Sequence, residues 1–200
     1  MRTNTTDIVF ATRNAGKIRE IKDFFADSAY NVLSLDDIGV DVHVIEDSTT
    51  FEENAAKKAR EICDACGKIV LADDSGLMID ALGGEPGVDS ANFLGTDTPY
   101  NLRNAKILEM LADIPEGARG ARFVCVIAIA RPDHDIMLER AEMHGVIARV
   151  AAGGDGFGYD PIFYLPQYGM TTAQMDLAQK NKISHRGQAL RLVKDRLDSL

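Results

Sequence analysis

The sequence has no tryptophan, three cysteines and four histidines among its 200 residues, and fewer basic than acidic side chains. None of its apolar runs approaches the ~20 residues that cross a bilayer, so a membrane is not an expected partner. Nothing behind the N-terminal stretch Met1-Arg2-Thr3-Asn4-Thr5-Thr6-Asp7 has the apolar core of a signal peptide, and a cytoplasmic protein is expected. Cys63 and Cys66 form a Cys-x-x-Cys pair, but a structural zinc site takes four ligands, and no second pair or close His pair supplies the rest. Buried structural thiols are the simpler reading. The 22 basic and 31 acidic residues give a formal charge of -9, against the broad basic face that nucleic acid requires. A small anion fits where a few cations gather locally. With 46% hydrophobic residues, the chain can build one ordinary globular domain over residues 1–200, with room for two lobes.

What is present centres on LADDSGLMIDALGGEPGVDSANF, Leu71 to Phe93. The run Ile69-Val70-Leu71-Ala72 predicts a short buried strand that ends on two adjacent carboxylates, Asp73 and Asp74, before Ser75 and Gly76. A strand that delivers acids at its C-terminal end is a common way for an α/β sheet to present chemistry. Paired carboxylates repel unless a cation sits with them. A capped turn accounts for Asp-Asp-Ser-Gly alone equally well. The loop Gly83-Gly84-Glu85-Pro86-Gly87 adds weight to a shaped, backbone-lined rim.

Asp7 to Ala11 predicts a first, central strand, apolar on both faces. Thr12-Arg13-Asn14-Ala15-Gly16-Lys17 then turns into a helix with Ile18, Ile21, Phe24 and Phe25 on one side. Backbone N–H groups at such a helix start make an anion cradle, with Lys17 adding a mobile charge, although a plain strand-to-helix turn reads the same way. Its glycine spacing is not that of a Walker loop. Val40, Val42 and Val44 alternate as in a half-buried strand. A helix follows from about Thr50 to Cys66, with Phe51, Ala55, Ala59, Ile62 and Cys66 inward and Lys58 leaning toward that face. An inward lysine is costly unless an anion meets it. Pro99 to Ala112 is expected as a helix on Leu102, Ile107, Leu108 and Leu111. Ala121 to Arg131 predicts a strand that enters a hairpin at Pro132-Asp133-His134-Asp135. Gly153 to Pro161 puts two aromatics and an acid among glycines, a flat stacking surface for a base or simply an anchored loop. Ser184 reads as the N-cap of a last helix on Ala189, Leu190, Val193 and Leu197. His185 and Arg186 in its first turn oppose the helix dipole, so a role outside helix stability is implied.

FATRNAGK, FEENAAKKA, LADDSGL, GGEPGVDSA, GFGYDPIF and ISHRGQAL occur in that order between Ile8 and Leu192. With these six stretches the chain resembles the inosine triphosphate pyrophosphatase family, the Ham1-like non-standard purine nucleoside-triphosphate pyrophosphatases. The resemblance implies an α/β fold with a mixed central sheet flanked by helices, two lobes around a cleft, and a homodimer. It also implies Mg²⁺-dependent hydrolysis of inosine, deoxyinosine or xanthosine triphosphate to the monophosphate and pyrophosphate. By similarity, Asp74 is the proton acceptor and a metal ligand, and Glu46, or Asp47 beside it, is a second ligand. Lys58 serves catalysis at the triphosphate. Thr12, Arg13, Asn14, Ala15, Gly16, Lys17, Ser75 and Lys180 contact phosphates and sugar. Phe157, Gly158, Tyr159 and Asp160, with His185 and Arg186, form the base pocket. Asp89 and Asn92 stand where similar proteins commonly carry an aromatic residue and an arginine.

A purine with a 6-oxo group presents an acceptor where adenine presents a donor, and an unpaired buried donor costs about 1–3 kcal/mol. Arg186, with His185 or a nearby N–H, is expected to donate to that oxygen while Phe157 stacks on the ring. Two other readings compete. A Maf-like pyrophosphatase acting on thymidine or uridine triphosphates would not need the Phe-Gly-Tyr-Asp and Ser-His-Arg stretches. A nucleotide-binding module without hydrolysis would have lost Asp74 or Glu46, and both are present.

Overall fold

The computed structural model describes residues 5–200; residues 1–4, the start of the N-terminal stretch, lie outside the described residues. The elements run β1 (Thr6–Phe10), α1 (Ala15–Phe25), β2 (Tyr30–Ser34), α2 (Phe51–Cys66), β3 (Val70–Ile79), α3 (Tyr100–Met110), β4 (Gly120–Ala130), β5 (Met137–Ile147), β6 (Phe163–Leu165), β7 (Met170–Thr171), α4 (Leu177–Ile183) and α5 (His185–Asp198). The sheet order is β2-β1-β3-β4-β5-β6-β7. β1 is parallel to β2, with Ile8 opposite Val32, and to β3, with Phe10 opposite Leu71. β6 pairs antiparallel with β5 and β7. Helices α1 and α2 supply the crossovers that parallel neighbours require, and the hairpin-forming half of the chain supplies the antiparallel pairs. The sheet is therefore mixed, as expected.

The chain forms two compact units. One comprises the chain up to Asp74 with Cys125–Ala141 and Arg186–Leu200; the other comprises Ser75–Val124 and Glu142–His185. In the first, Ile8, Phe10, Leu71, Cys125, Ile127 and Ile129 from the strands cluster with Ile21 and Phe25 of α1 and Ala189, Leu190, Val193 and Leu197 of α5. Full burial of each large aliphatic or Phe contributes about 1.5–3 kcal/mol. In the second, Leu77, Ile79, Phe123, Met143, Ile147, Phe163 and Leu165 pack with Ile107 and Leu111 of α3.

Several expectations need correction. β3 does not stop at the acids; it continues through them to Ile79, because Leu77 and Ile79 bury into the second unit's core. Val40–Val44 does alternate between half-buried and exposed residues but forms no strand. Leu102 is exposed at 55%, and the buried face of α3 is Arg103, Asn104 and Ile107. Cys63, not Cys66, lies on the buried stripe of α2. Helix α4 was not expected at all; only its ends, Leu177, Ala178 and Ile183, are apolar.

Candidate active site

Successive side chains of a strand point to opposite faces, so Asp73 and Asp74 meet different surroundings. Asp73 is fully buried. Its Oδ2 accepts Lys17 Nζ at 2.9 Å and Arg186 Nη2 at 3.3 Å. Arg186, itself buried, also pairs with buried Glu20 of α1. Burial pushes the Asp73 carboxyl up, but Lys17 and Arg186 outweigh it and hold it far below the usual carboxylate range.

Asp74 is 7% exposed, and its Oδ2 accepts Asn54 Nδ2 at 3.1 Å. Burial foremost pushes its pKa up to about 6; Lys58, Lys17 and the Asn54 bond pull it back, and the charge of Glu46 raises it further. Asn54 of α2 also exchanges hydrogen bonds with the backbone of Ser48, which fixes the loop carrying Glu46 beside Asp74. The inward lean of Lys58 finds its anion in Glu46, 2.7 Å away. Asp47 instead takes the ammonium of Lys57. The carboxylate whose charge reaches Asp74 is therefore Glu46.

The turn before α1 is built differently from an open amide cradle. Asn14 caps the helix, its Oδ1 accepting Gly16 N at 2.9 Å and Lys17 N at 3.2 Å. Thr12 Oγ1 accepts Asn14 N, and Arg13 pairs with exposed Asp41. Three of the turn's amides are thus spent internally, and an incoming anion meets the side chain of Lys17 rather than those N–H groups. Ala15 opens the helix and Ser75 follows Asp74 in β3.

The second unit holds the glycine-rich loop. Asp160, 2% exposed, accepts Phe157 N at 2.8 Å, Thr172 Oγ1 at 2.8 Å and Lys180 Nζ at 2.7 Å. The Lys180 ammonium also sits 4.8 Å over the Phe157 ring. Lys180 is therefore committed to the loop, a different setting from the phosphate contact expected of it. Gly156 has φ +75°, and a Cβ there would lie 2.3 Å from Asp160 Oδ2, so glycine is required. Of the two readings of this stretch, Tyr159 follows the anchored loop. It is buried, edge-on to Tyr100, with its hydroxyl donating to Ser90 O at 2.8 Å. Of the two aromatics, Phe157 is the half-buried one. Gly158 gives its carbonyl to Asn104 Nδ2. A cavity of about 370 Å³ beside the loop is lined by Tyr100, Asn104, Leu108, Gly156, Phe157 and Pro161 among others. His185 stacks on Phe123 at 4.8 Å and 13°.

The guanidinium of Arg186 is 2% exposed and engaged by two carboxylates. Donation to a purine oxygen does not fit that placement; a basic residue in the first turn of α5 is explained by Asp73 and Glu20. Sequence reasoning also passed over Asn54 and Glu20 as site builders, and it did not find Lys17 and Arg186 as the cations of Asp73. The one available signal for Asn54 was its position beside Lys58 on the inward edge of α2.

Glu46 and Asp74 suit a hard cation. Mg²⁺ takes one or two carboxylates and completes its shell with water and substrate phosphate, and the charge of Glu46 raises the cost of ionising Asp74. Among the described residues no group of three or more His, Cys, Asp or Glu gathers to hold a metal by itself. The Cys63 thiol donates to Lys68 O and burial pushes its pKa up, as in an unreactive thiol.

Fold and site together define an α/β enzyme that handles phosphate groups. The chain matches the Ham1 family over residues 8–196 and belongs to it. It is similar to a dITP/XTP pyrophosphatase of Desulforamulus reducens, 45% identical over 193 residues that cover 96% of each chain. Among solved structures it is similar to the Staphylococcus aureus Ham1 protein (TM-score 0.86, 40% identity, 97% of this chain and 99% of that one). A Ham1 protein from Coxiella burnetii gives a TM-score of 0.88 at 38% identity, covering 98% and 100%.

Proposed function

We propose that this chain hydrolyses non-standard purine nucleoside triphosphates (dITP, ITP and XTP) to the monophosphate and pyrophosphate, and so cleanses the nucleotide pool. The observation that carries the reading is Asp74: a buried carboxylate near pKa 6, held by Asn54 and flanked by Lys17 and Lys58. Above that pH it is an ionised base able to take a proton from water as the water attacks the α-phosphorus in line. Lys17 and Lys58 offset charge on the phosphates and the pyrophosphate leaving group. Glu46 and Asp74 would hold Mg²⁺, which when bound would supply Lewis-acid neutralisation of phosphate charge. Phe157 stacks on the purine, with Lys180 and Asp160 fixing the ring from behind. The names of the similar pyrophosphatases support this substrate class.

The test is hydrolysis of dITP in ¹⁸O-labelled water with Mg²⁺. Attack at the α-phosphorus puts the label in the monophosphate and releases unlabelled pyrophosphate in one step. Orthophosphate with a diphosphate intermediate would mean attack at the γ-phosphorus and would overturn the reading. We further propose a single pyrophosphatase domain, a homodimer and a cytoplasmic location, supported by the family resemblance. No helix among the described residues is long and apolar enough to cross a membrane. Sedimentation velocity reads the dimer.

A further inference from the structure

Arg103 of α3 is 2% exposed, and among the described residues no carboxylate pairs with it. A buried guanidinium without a counter-ion is costly unless dipoles replace the water it loses. Here backbone carbonyls do so. Nη1 donates to Ser90 O at 3.2 Å and Ala91 O at 2.5 Å; Nη2 donates to Gly95 O at 2.9 Å and Thr96 O at 3.2 Å. The guanidinium carbon lies 4.7 Å over the Tyr100 ring. All four acceptors belong to one loop, and a planar fork is the side chain able to reach them together.

The grip could be a simple loop staple, but one acceptor is shared. Ser90 O also receives the Tyr159 hydroxyl at 2.8 Å. The Ser90 hydroxyl accepts Leu77 N at 2.9 Å and donates to Gly87 O at 2.6 Å, which pins that carbonyl in place. The neighbouring Asn104 donates to Gly158 O at 3.1 Å, and Tyr100 packs edge-on to Tyr159 at 5.2 Å. One turn of helix thus holds the two residues that follow Phe157. We propose that Arg103 is a positioning residue for base recognition: it fixes the Ser90 carbonyl, and through Tyr159, with Asn104 on Gly158, it sets where Phe157 lies. This rests on the purine reading of the Phe157 loop given above.

The experiment compares dITP hydrolysis with inhibition by inorganic tripolyphosphate, which has phosphates and no base, in wild type, Arg103→Lys, Tyr159→Phe and the double variant. Lysine keeps the charge but cannot span four carbonyls. The dITP KM should rise about tenfold in Arg103→Lys while kcat stays within about threefold, as expected when a binding contact is lost. The tripolyphosphate Ki should stay within about twofold of wild type, since that ligand reads phosphate groups alone. Because both bonds end on one carbonyl, the double variant should be no worse than the poorer single one. An unchanged dITP KM makes Arg103 a loop staple only; a KM and Ki that rise together mean general loosening. Either result overturns the proposal. If Arg103→Lys does not fold, Tyr159→Phe alone must show the KM-against-Ki split, and an unchanged KM there is equally fatal. Wild type that leaves dITP intact would overturn the activity itself, a result plainly different from an altered ratio.

Discussion

Asp74 is lifted to about 6 while Asp73, one residue away, is held far below the ordinary carboxylate range, and the cause is what each faces. Asp73 is neutralised by Lys17 and Arg186 and stays ionised; Asp74 is buried with partial compensation and can exchange a proton. Asp74→Asn should lower kcat by at least about 10²-fold, in line with loss of a general base; wild-type turnover would remove Asp74 from the mechanism. For stability the unfolded chain releases this proton near 3.8 and the folded one near 6. Stability in chelator should therefore fall as pH climbs between those values and remain lower above them, by about 3 kcal/mol. Asp74→Asn abolishes that loss, so its melting temperature should exceed that of wild type at pH 8 and match it below pH 4. Arg186→Ala leaves Asp73 and Glu20 buried beside each other and should cost about 3–5 kcal/mol, read by denaturant melts. A melt like that of wild type would mean the buried pairs contribute nothing net. The Asp-Asp pair and the inward Lys58 were legible because adjacency and helical spacing are written in the chain. The partners of Asp73, on α1 and α5, were not, since only folding brings them together. Asn92, in place of a commonly seen arginine, shows the same limit: the guanidinium that reaches its segment comes from Arg103 on another element.

Periodic elements were readable wherever the apolar pattern was strong. The stripe of α2 as far as Ile62, and the last helix, fall where the spacing puts them. Alternation at Val40–Val44 failed as a strand signal because, among the described residues, no strand pairs with it; half-burial alone produced the pattern. On α3 the spacing placed Leu102 inward, but the inward face carries Arg103 and Asn104, polar residues made tolerable by the carbonyls they bind. The Phe157 loop lies where the glycines placed it, but the burial of Tyr159 was not legible, because it depends on Tyr100 of α3. That loop gives a prediction at its own scale. In Gly156→Ala a methyl group must displace the Asp160 carboxylate and adopt an unfavourable positive φ. The dITP KM should rise about tenfold or more with a smaller change in kcat, as for loss of an ordered binding surface. Unaltered kinetics would mean that Asp160 does not set the position of Phe157.

The whole chain carries a formal charge of -9, yet the first unit draws Lys17 and Lys58 in toward its two acids, so net charge gave no hint of a phosphate site and only the local pattern did. The mixed sheet was legible as a class. The interleaving of segments between the two units was not, because it depends on where three strands pass from one core to the other. At 74/75, 124/125 and 141/142 the crossing falls inside β3, β4 and β5, and at 185/186 it falls at the start of α5. Synthesis on the ribosome gives this arrangement a further meaning. β1, α1 and β3 of the first unit emerge well before α5, whose Leu190, Val193 and Leu197 close their core. A nascent chain stalled before Arg186 would hold that core open and leave Asp73 without one of its two cations. Such a chain should be cut rapidly by protease, whereas emergence and docking of α5 should confer resistance in a single step.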